Sequence, residues 1–183
     1  EGLLNLDVTT STGLTLNENL DWWEQSEKRD FVRKQLKNTR NIDPEDVVNS
    51  LQNSRKKNMT STVTFPKGNI APEGSVVKST AIDKTVIDKD GVYRKIGPAR
   101  IFISEADAIK AVKDKGANGV KAGDIMVVAC GGPKGTGMQE VAQITIALKY
   151  LNHGKEVALI TDGRFSGVST GACIGHIGPE ALD

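Results

Sequence analysis

The chain has 183 residues, of which 38% are hydrophobic and 4% aromatic, which is enough for one domain with a core, with or without an appendage. Its formal net charge is only +1, so its electrostatics give no reason to expect nucleic acid or an anionic membrane as a partner. No apolar run approaches the roughly 20 residues that span a bilayer, so no membrane segment is predicted either.

The ends and the cysteines of the chain indicate its context. The sequence begins at Glu1 without a methionine and ends at Asp183 just after a helix-start pattern, so we expect it to be a piece of a longer polypeptide. It contains no signal-peptide pattern, and Cys130 and Cys173 have neither metal-ligand nor disulfide-framework spacing. Reduced thiols and a cytoplasmic location are the simplest prediction.

Residues 1–59 are predicted to be helical and polar. One helix is expected over residues 22–36, with Asn19 or Asp21 as its N-cap. A second helix is expected to begin with Asp43 as its N-cap and a proline in its first turn. Three apolar residues of the second helix are predicted to be buried: Val47, Val48 and Leu51.

From residue 60 the sequence changes to short β-strands separated by turns. Alternating patterns rich in Val, Ile and Thr predict these strands, and Asp90-Gly91 marks a tight hairpin turn. The predicted strands of this part are residues 60–65, 75–78, 86–87, 93–95 and 99–103.

Strands alternate with helices in the last part of the chain. A helix is predicted to begin after its N-cap Ser104, with Asp107 at the third helical position. The elements that follow are a strand at 125–129, a helix at 138–151 with Val141, Ile144, Leu148 and Leu151 on its apolar side, and a strand at 155–160. This order predicts an α/β fold, with a helical segment at 1–59 and a domain at 60–183. The sheet of that domain is expected to be mixed, barrel-like and flanked by helices.

A glycine-rich turn follows the predicted strand at 125–129. Residues 131–137 could present backbone N–H groups to a phosphate or carboxylate at a helix N-terminus, but a plain tight turn explains the same pattern. The spacing fits neither a Walker loop nor a dinucleotide-binding fingerprint. Glu140 lies one turn into the predicted helix, where the helix dipole favours an ionised carboxylate. It is a candidate ligand of a hard cation such as Mg²⁺.

A serine among small residues follows the predicted strand at 155–160. Ser166 is placed to present a reactive hydroxyl at the carboxyl end of that strand. A hydrolase with Ser166, His176 and Asp162 as its triad is one interpretation, but the preceding glycine is three residues before the serine rather than two. The two cysteines near these loops allow an iron–sulfur interpretation, to which buried apolar thiols are the alternative.

Five stretches carry a more specific signal when they are taken in order: residues 69–78, 97–102, 120–124, 132–140 and 161–181. The last contains Thr161-Asp-Gly-Arg-Phe-Ser-Gly167, and the fourth reads Gly-Pro-Lys-Gly-Thr-Gly-Met-Gln-Glu. Together they resemble the dihydroxy-acid and 6-phosphogluconate dehydratase family. The resemblance covers residues 60–183 closely.

The resemblance implies roles for particular residues. Ser166 matches the serine that acts as an alkoxide base on C2 of the substrate, and Glu140 matches a ligand of the active-site Mg²⁺. The other Mg²⁺ ligands and the cysteines of an iron–sulfur cluster are implied to lie in an N-terminal domain, so Cys130 and Cys173 do not match cluster ligands. The candidate substrate-binding residues are Thr136, Arg164 and His176.

The form of the stretch at 132–140 and the polar insert at 22–59 resemble the sugar-acid branch of the family, which acts on aldonates such as xylonate. The resemblance therefore implies a hydro-lyase that converts a 2,3-dihydroxy sugar acid into the 2-keto-3-deoxy acid. It also implies a swivelling β/β/α carboxy-terminal domain and a homodimer or homotetramer. Two alternatives stay open: a branched-chain dihydroxy-acid dehydratase, and a non-catalytic swivelling phosphate-carrier module that would need an exposed histidine.

Overall fold

A computed structural model of the protein describes residues 2–59 and 61–183. The chain divides into two compact units, Glu1–Thr60 and Ser61–Asp183. The described part of the first unit contains four helices, and none of their residues is buried. They are α1 (Leu16–Glu24), α2 (Glu27–Arg40), α3 (Pro44–Val47) and α4 (Leu51–Lys56).

Side-chain caps determine where the first two helices begin. Thr15 closes a capping box at the start of α1, and the Ser26 side chain caps α2. The prediction of one helix over residues 22–36 is therefore wrong, because a second cap interrupts it. The predicted caps Asn19 and Asp21 both lie inside α1.

The next helix begins as predicted but is shorter and more exposed. Asp43 caps α3, which ends at Val47, and the backbone is extended at Val48. Ser50 then caps α4 as a separate helix. The predicted burial of Val47, Val48 and Leu51 is wrong, since they are 57%, 79% and 38% exposed.

The second unit is built on one five-stranded sheet. Its strands are β1 (Gly74–Val77), β2 (Ala99–Phe102), β3 (Ile125–Val128), β4 (Ala158–Thr161) and β5 (Ala172–Gly178). The strand order is β1-β5-β4-β3-β2, in which β1 is antiparallel to β5 and the other neighbours are parallel. Its helices are α5 (Glu105–Lys113), α6 (Pro133–Thr136) and α7 (Ala142–Lys149).

The sequence predicted four of these strands and missed β5. The predictions at 75–78, 99–103, 125–129 and 155–160 are confirmed with shifted ends. The strand β5 contains two glycines and does not alternate polar with apolar residues, so it carries no strand pattern.

Three other predicted strands are wrong. In the first, Thr60 lies outside the described residues, and the rest contributes only an isolated bridge between Thr64 and Val77. The second is replaced by the 3₁₀ turn Lys84–Val86, which the Asp83 side chain caps. The turn before Gly91 forms, but the predicted return strand at 93–95 does not.

The core lies between the sheet and the two longer helices of this unit. Ser104 caps α5 as predicted, by accepting a hydrogen bond from the Asp107 N–H at 3.2 Å. Met126 and Leu159 of the sheet and Ile144 of α7 are at most 1% exposed. Burial of each such side chain stabilises the fold by about 1.5–3 kcal/mol. The buried side of α7 is the predicted one, although the helix begins at residue 142 rather than 138.

The predicted α/β class is confirmed, with a mixed sheet flanked by helices. Across the described residues the sheet stays open and does not close into a barrel. None of the helices within residues 2–59 and 61–183 has the length and apolar character needed to cross a membrane.

Candidate functional site

Two loops leave neighbouring strands at the same edge of the sheet. Residues 129–141, which we call the glycine loop, follow β3, and residues 162–171, the serine loop, follow β4. Because β3 and β4 are parallel and adjacent, both loops begin at the carboxyl edge of the sheet. Ligands of open α/β sheets bind at this edge.

Backbone hydrogen bonds join the two loops at Glu140 and Arg164. The Val141 N–H donates to the Arg164 carbonyl at 2.8 Å, and the Arg164 N–H donates to the Gln139 carbonyl at 3.4 Å. The Nε of Arg164 lies 4.0 Å from Oε1 of Glu140. Ser166 is two residues beyond this bridge, so the structure places the Glu140 and Ser166 segments beside each other. The bridge also explains why α7 begins only at residue 142.

A buried carboxylate holds the start of the glycine loop. Asp162 is 5% exposed and accepts hydrogen bonds from the backbone N–H groups of Cys130 (3.1 Å), Gly131 (2.8 Å) and Ala181 (2.9 Å). These bonds clamp the glycine loop and the chain end to the strand that carries the serine loop. The sequence indicated Asp162 only as a triad member, since nothing in a sequence pairs a carboxylate with amides 31 residues away.

The anion-binding property of the glycine loop is used within the chain. The Lys134 N–H at the start of α6 donates to both carboxylate oxygens of Glu180 at 2.9 Å. Together with Asp162, Glu180 therefore takes the place that an external phosphate would occupy. Gly135 is required for the tight turn, because a Cβ there would lie 2.0 Å from the Cys130 carbonyl oxygen. The plain-turn interpretation fits this geometry better than an external anion site.

The Thr136 hydroxyl is hydrogen-bonded within its own loop. It donates to the Gly131 carbonyl at 2.9 Å and accepts from the Gln139 N–H at 3.1 Å. One lone pair of a hydroxyl oxygen stays available in this arrangement. Thr136 therefore shapes the loop, and its contact with a substrate stays a prediction.

Ser166 is half-buried at the start of a β-turn. Its carbonyl accepts from the Ser169 N–H at 2.9 Å, and its Oγ accepts from the Val168 N–H at 3.2 Å. A backbone N–H directed at a serine oxygen favours its deprotonated form. The hydroxyl thus has one donor already directed at it, and Ser166 lies two residues beyond the backbone bridge to Glu140.

His176 lies on β5 next to the serine loop. Its backbone N–H donates to the Gly163 carbonyl at 2.8 Å. Its ring packs edge-on against Phe165, with the two ring centroids 5.8 Å apart. Burial, followed by the positive charge of Arg164, lowers the pKa of His176 below its ordinary value. The imidazole is therefore neutral at neutral pH.

The hydrolase interpretation and the phosphate-carrier interpretation find little support in this geometry. Within the described chain, no hydrogen bond links Ser166 to His176 or His176 to Asp162, so the hydrolase triad is not assembled. A phosphate carrier needs an exposed histidine, whereas His176 is half-buried. The ring of His153 hydrogen-bonds the Val120 carbonyl at 3.0 Å.

Three non-glycine residues around these loops have left-handed backbone conformations. They are Cys130 (φ 64°) and Met138 (φ 70°) in the glycine loop, and His176 (φ 55°) beside the serine loop. Each such conformation costs of order 1–3 kcal/mol and persists only where surrounding contacts hold it. Strain of this kind concentrates at functional sites, which favours this edge of the sheet as the site.

Glu140 fits the role of a single cation ligand. Its side chain is 46% exposed and makes no hydrogen bond with the described residues, and its only ionic neighbour is Arg164 at 4.0 Å. Its oxygens are thus free to bind a hard cation. No group of three or more His, Cys, Asp or Glu side chains in residues 2–59 and 61–183 is placed to hold a metal. A Mg²⁺ ion would need ligands in addition to Glu140.

Cys173 does not fit the role of an iron–sulfur cluster ligand. Cys173 is 4% exposed within the core, and burial raises the pKa of its thiol to about 12, so the thiolate that iron requires is strongly disfavoured. Cys130 is half-buried, and its backbone is held by Asp162.

Lys78 is a contact of the serine loop that the sequence analysis did not single out. Its Nζ donates a hydrogen bond to the carbonyl of Gly167, the residue after Ser166. The residue ends the stretch 69–78 that contributed to the resemblance, but no pattern in the sequence connects it with residue 167.

Comparison with known proteins shows which family the chain is similar to. Residues 46–183 match the family described as dihydroxy-acid/6-phosphogluconate dehydratase C-terminal. The chain is 57% identical over 182 residues to D-xylonate dehydratase YjhG of Escherichia coli (strain K12) and 56% identical over 181 residues to D-xylonate dehydratase YagF of the same organism. It is 44% identical over 181 residues to a dihydroxy-acid dehydratase of Agathobacter rectalis.

These alignments cover 99%, 99% and 98% of this chain, but the chain spans only 27% of the length of each of these relatives. The family match includes both loops and every candidate site residue. The resemblance carried by the motifs is thus confirmed, and the chain belongs to the dihydroxy-acid/6-phosphogluconate dehydratase family.

Proposed function

We propose that the protein carrying this chain is a hydro-lyase that dehydrates a 2,3-dihydroxy sugar acid, an aldonate such as xylonate, to the 2-keto-3-deoxy acid. The observation that supports the reaction is the backbone bridge between Glu140 and Arg164, which joins the segments of Glu140 and Ser166 at one edge of the sheet. The substrate class is supported by similarity, since identity is 57% with a D-xylonate dehydratase and 44% with a dihydroxy-acid dehydratase.

Ser166 is proposed as the base. The deprotonated Oγ takes the proton from C2, the hydroxyl on C3 leaves with the bonding electrons, and the resulting enol becomes the 2-keto acid by proton transfer. Serine is a weak base at its free pKa and needs stabilisation of its anion. The Val168 N–H supplies part of this stabilisation, and the positive charge of nearby Arg164 favours the same form.

Glu140 is proposed as a ligand of Mg²⁺. A proton next to a carboxylate is hard to remove because a second negative charge develops on the same group, and a bound Mg²⁺ supplies a Lewis acid for that charge. Glu140 would hold it together with ligands from residues outside this chain. An iron–sulfur cluster, which the resemblance implies, would take its ligands from the N-terminal domain.

The remaining candidates are proposed to bind the sugar acid. Arg164 can pair with its carboxylate, because the guanidinium is half-exposed and its 4.0 Å separation from Glu140 leaves it free to turn. Neutral His176 can donate to or accept from a sugar hydroxyl, and Thr136 has one acceptor position left. A cytoplasmic homodimer or homotetramer with a small-molecule substrate completes the proposal.

A substrate panel tests the function. The full-length protein is incubated with Mg²⁺ and a series of aldonic acids, and with a branched-chain 2,3-dihydroxy acid, and the 2-keto acid formed is measured. We expect product from at least one aldonate at a kcat/KM well above that for the branched-chain acid. Preference for the branched-chain acid would contradict the sugar-acid assignment. A phosphate label transferred to histidine, with no keto acid formed, would favour a carrier module instead.

A further inference from the structure

One peptide group of the serine loop is held at both of its ends. The carbonyl of Gly167 accepts a hydrogen bond from the Lys78 Nζ, and the N–H of Val168 donates to Ser166 Oγ at 3.2 Å. These two atoms belong to the same planar, trans peptide unit, in which the carbonyl oxygen and the N–H point in opposite directions. Fixing one end therefore fixes the direction of the other.

This peptide group lies at the centre of a β-turn, where a peptide group can rotate. Residues 166–169 form a β-turn closed by the Ser169 N–H, and Gly167 has open space where a Cβ would lie. Rotation of the central peptide interconverts turn types with little movement of the flanking residues. Such a rotation would turn the Val168 N–H away from Ser166 Oγ.

Val168 disfavours the fully rotated form of the turn. The rotated turn requires a positive φ at this residue, which a β-branched side chain disfavours, and Val168 is not among the positive-φ residues. Two other contacts hold the loop without touching this peptide: the Gly171 N–H to the Ala81 carbonyl at 3.0 Å, and Thr145 Oγ1 to Ser169 Oγ at 3.1 Å. The described chain offers Lys78 as the one side chain bonded to the Gly167 carbonyl.

We infer that Lys78 is a positioning residue for Ser166: by holding the Gly167 carbonyl it directs the Val168 N–H at the serine oxygen. This inference rests on the proposed function for its consequence in catalysis, because the donor so directed stabilises the serine anion. The bond spans 89 residues of sequence and ties the end of β1 to the loop after β4. Lys78 acts on the reacting hydroxyl through this one peptide group.

Amide exchange tests the geometry without any enzyme activity. In the isotopically labelled 183-residue chain, Lys78→Met is expected to raise the exchange rate of the Val168 amide with water about fivefold, the effect of losing one ordinary hydrogen bond. Ser166→Ala should raise it similarly, and Lys78→Arg should restore the slow rate. The Gly171 amide, bonded to the neighbouring Ala81, should not change in any of these variants.

The matched control is Lys155→Met, which also removes one hydrogen-bonded lysine ammonium from this unit. The Nζ of Lys155 donates to Thr85 Oγ1 at 3.0 Å. This variant should leave the Val168 amide unchanged. Equal acceleration of Val168 and Gly171 in Lys78→Met would show a general tether and overturn the inference, as would no acceleration at Val168. If Lys78→Met does not fold, Lys78→Gln, which is one bond shorter, replaces it in the same measurement.

Kinetics of the full-length protein then test the consequence. We expect Lys78→Met to lower kcat about tenfold with little change in KM, and Lys78→Arg to recover most of it. Appreciable activity in Ser166→Ala would contradict the proposed base and leave the exchange result standing. Full activity in Lys78→Met, with Ser166→Ala inactive, would overturn the role of Lys78 and leave the proposed function standing.

Discussion

The roles of single residues depend on which hydrogen bonds their side chains have already made. Asp162 is committed to three backbone N–H groups and Thr136 to its own loop, whereas Glu140 has no hydrogen bond within the described residues. Ser166 accepts one bond and keeps its proton free to leave. Chemistry is therefore expected from Glu140 and Ser166, while Asp162 and Thr136 maintain the shape of the site.

Ser166→Ala tests the chemical role directly. In the full-length protein we expect kcat to fall about 10²–10⁴-fold, the usual contribution of a general base. The melting temperature should stay close to that of the parent, because the Oγ accepts a single bond at a half-buried position. Ser169→Ala in the same turn is a control for local packing. Loss of folding in Ser166→Ala would assign the hydroxyl a structural role.

His176 makes the stability of the chain depend on pH in a defined direction. Its pKa in the fold lies below the ordinary value of 6.5 because of burial and the charge of Arg164, so the unfolded chain binds a proton first as the pH falls. Stability should therefore decrease as the pH drops from about 6.5 towards the lower folded pKa. The replacement His176→Asn keeps a residue that tolerates a positive φ.

The measurement for His176 is denaturant unfolding at a series of pH values. In His176→Asn the decrease below pH 6.5 should be shallower than in the parent chain. His153→Asn, at the other end of α7, serves as the control for the loss of one histidine. Identical pH profiles for the parent and His176→Asn would contradict the lowered pKa.

At the scale of elements, the carboxylate of Asp162 connects separate segments of the chain. It joins the glycine loop, the serine loop and the segment after β5, at Ala181, through three hydrogen bonds. In Asp162→Asn, the amide NH₂ would face N–H donors, so we expect a loss of about 2–4 kcal/mol in unfolding free energy. Chemical denaturation measures this loss.

The control for Asp162 is Asp124→Asn, an equally buried carboxylate at the start of β3 that accepts from the Lys121 N–H at 2.9 Å. Both variants should be destabilised. Only Asp162→Asn should also lower kcat at temperatures where the protein stays folded, because only its bonds hold the loops of the site. A matching loss of kcat in Asp124→Asn would mean that reduced stability alone explains the effect.

The elements that depend on local interactions could be predicted from the sequence, and those that depend on distant contacts could not. Local signals were sufficient for β3, β4 and the cap at Ser104, where the pattern and the cap lie within a few residues of each other. The start of α7 was predicted four residues too early, because Glu140 and Val141 pair with Arg164 across the sheet edge. The strand β5 was missed because its pairing partners, rather than its own sequence, make it a strand.

The candidate site shows the same division. Ser166 and Glu140 could be identified because they lie in motifs with a characteristic order along the chain. The positions of Lys78 and Glu180 could not, because each acts on a backbone group 89 or 46 residues away and no local pattern encodes that distance. Arg164 was expected to bind substrate, and that role stays a prediction. Its ionic neighbour within the described residues is Glu140, since Asp162 is already bonded to backbone amides.

The chain as a whole presents one side of the proposed site. It spans 27% of the length of its D-xylonate dehydratase relatives, and its described residues bring one free carboxylate, not a set of three ligands, to the sheet edge. A single carboxylate binds Mg²⁺ weakly, because the ion retains most of its water unless further ligands are fixed around it.

We therefore expect the isolated 183-residue chain to form no keto acid from any aldonate at millimolar Mg²⁺. The full-length protein should form the keto acid under the same conditions. Titration calorimetry with Mg²⁺ should show no saturable binding to the isolated chain, and Glu140→Gln should weaken Mg²⁺ activation of the full-length protein without changing its fold. Turnover by the isolated chain would mean that the base and the charge-stabilising groups are all contained in these residues, and the division of the site proposed here would be wrong.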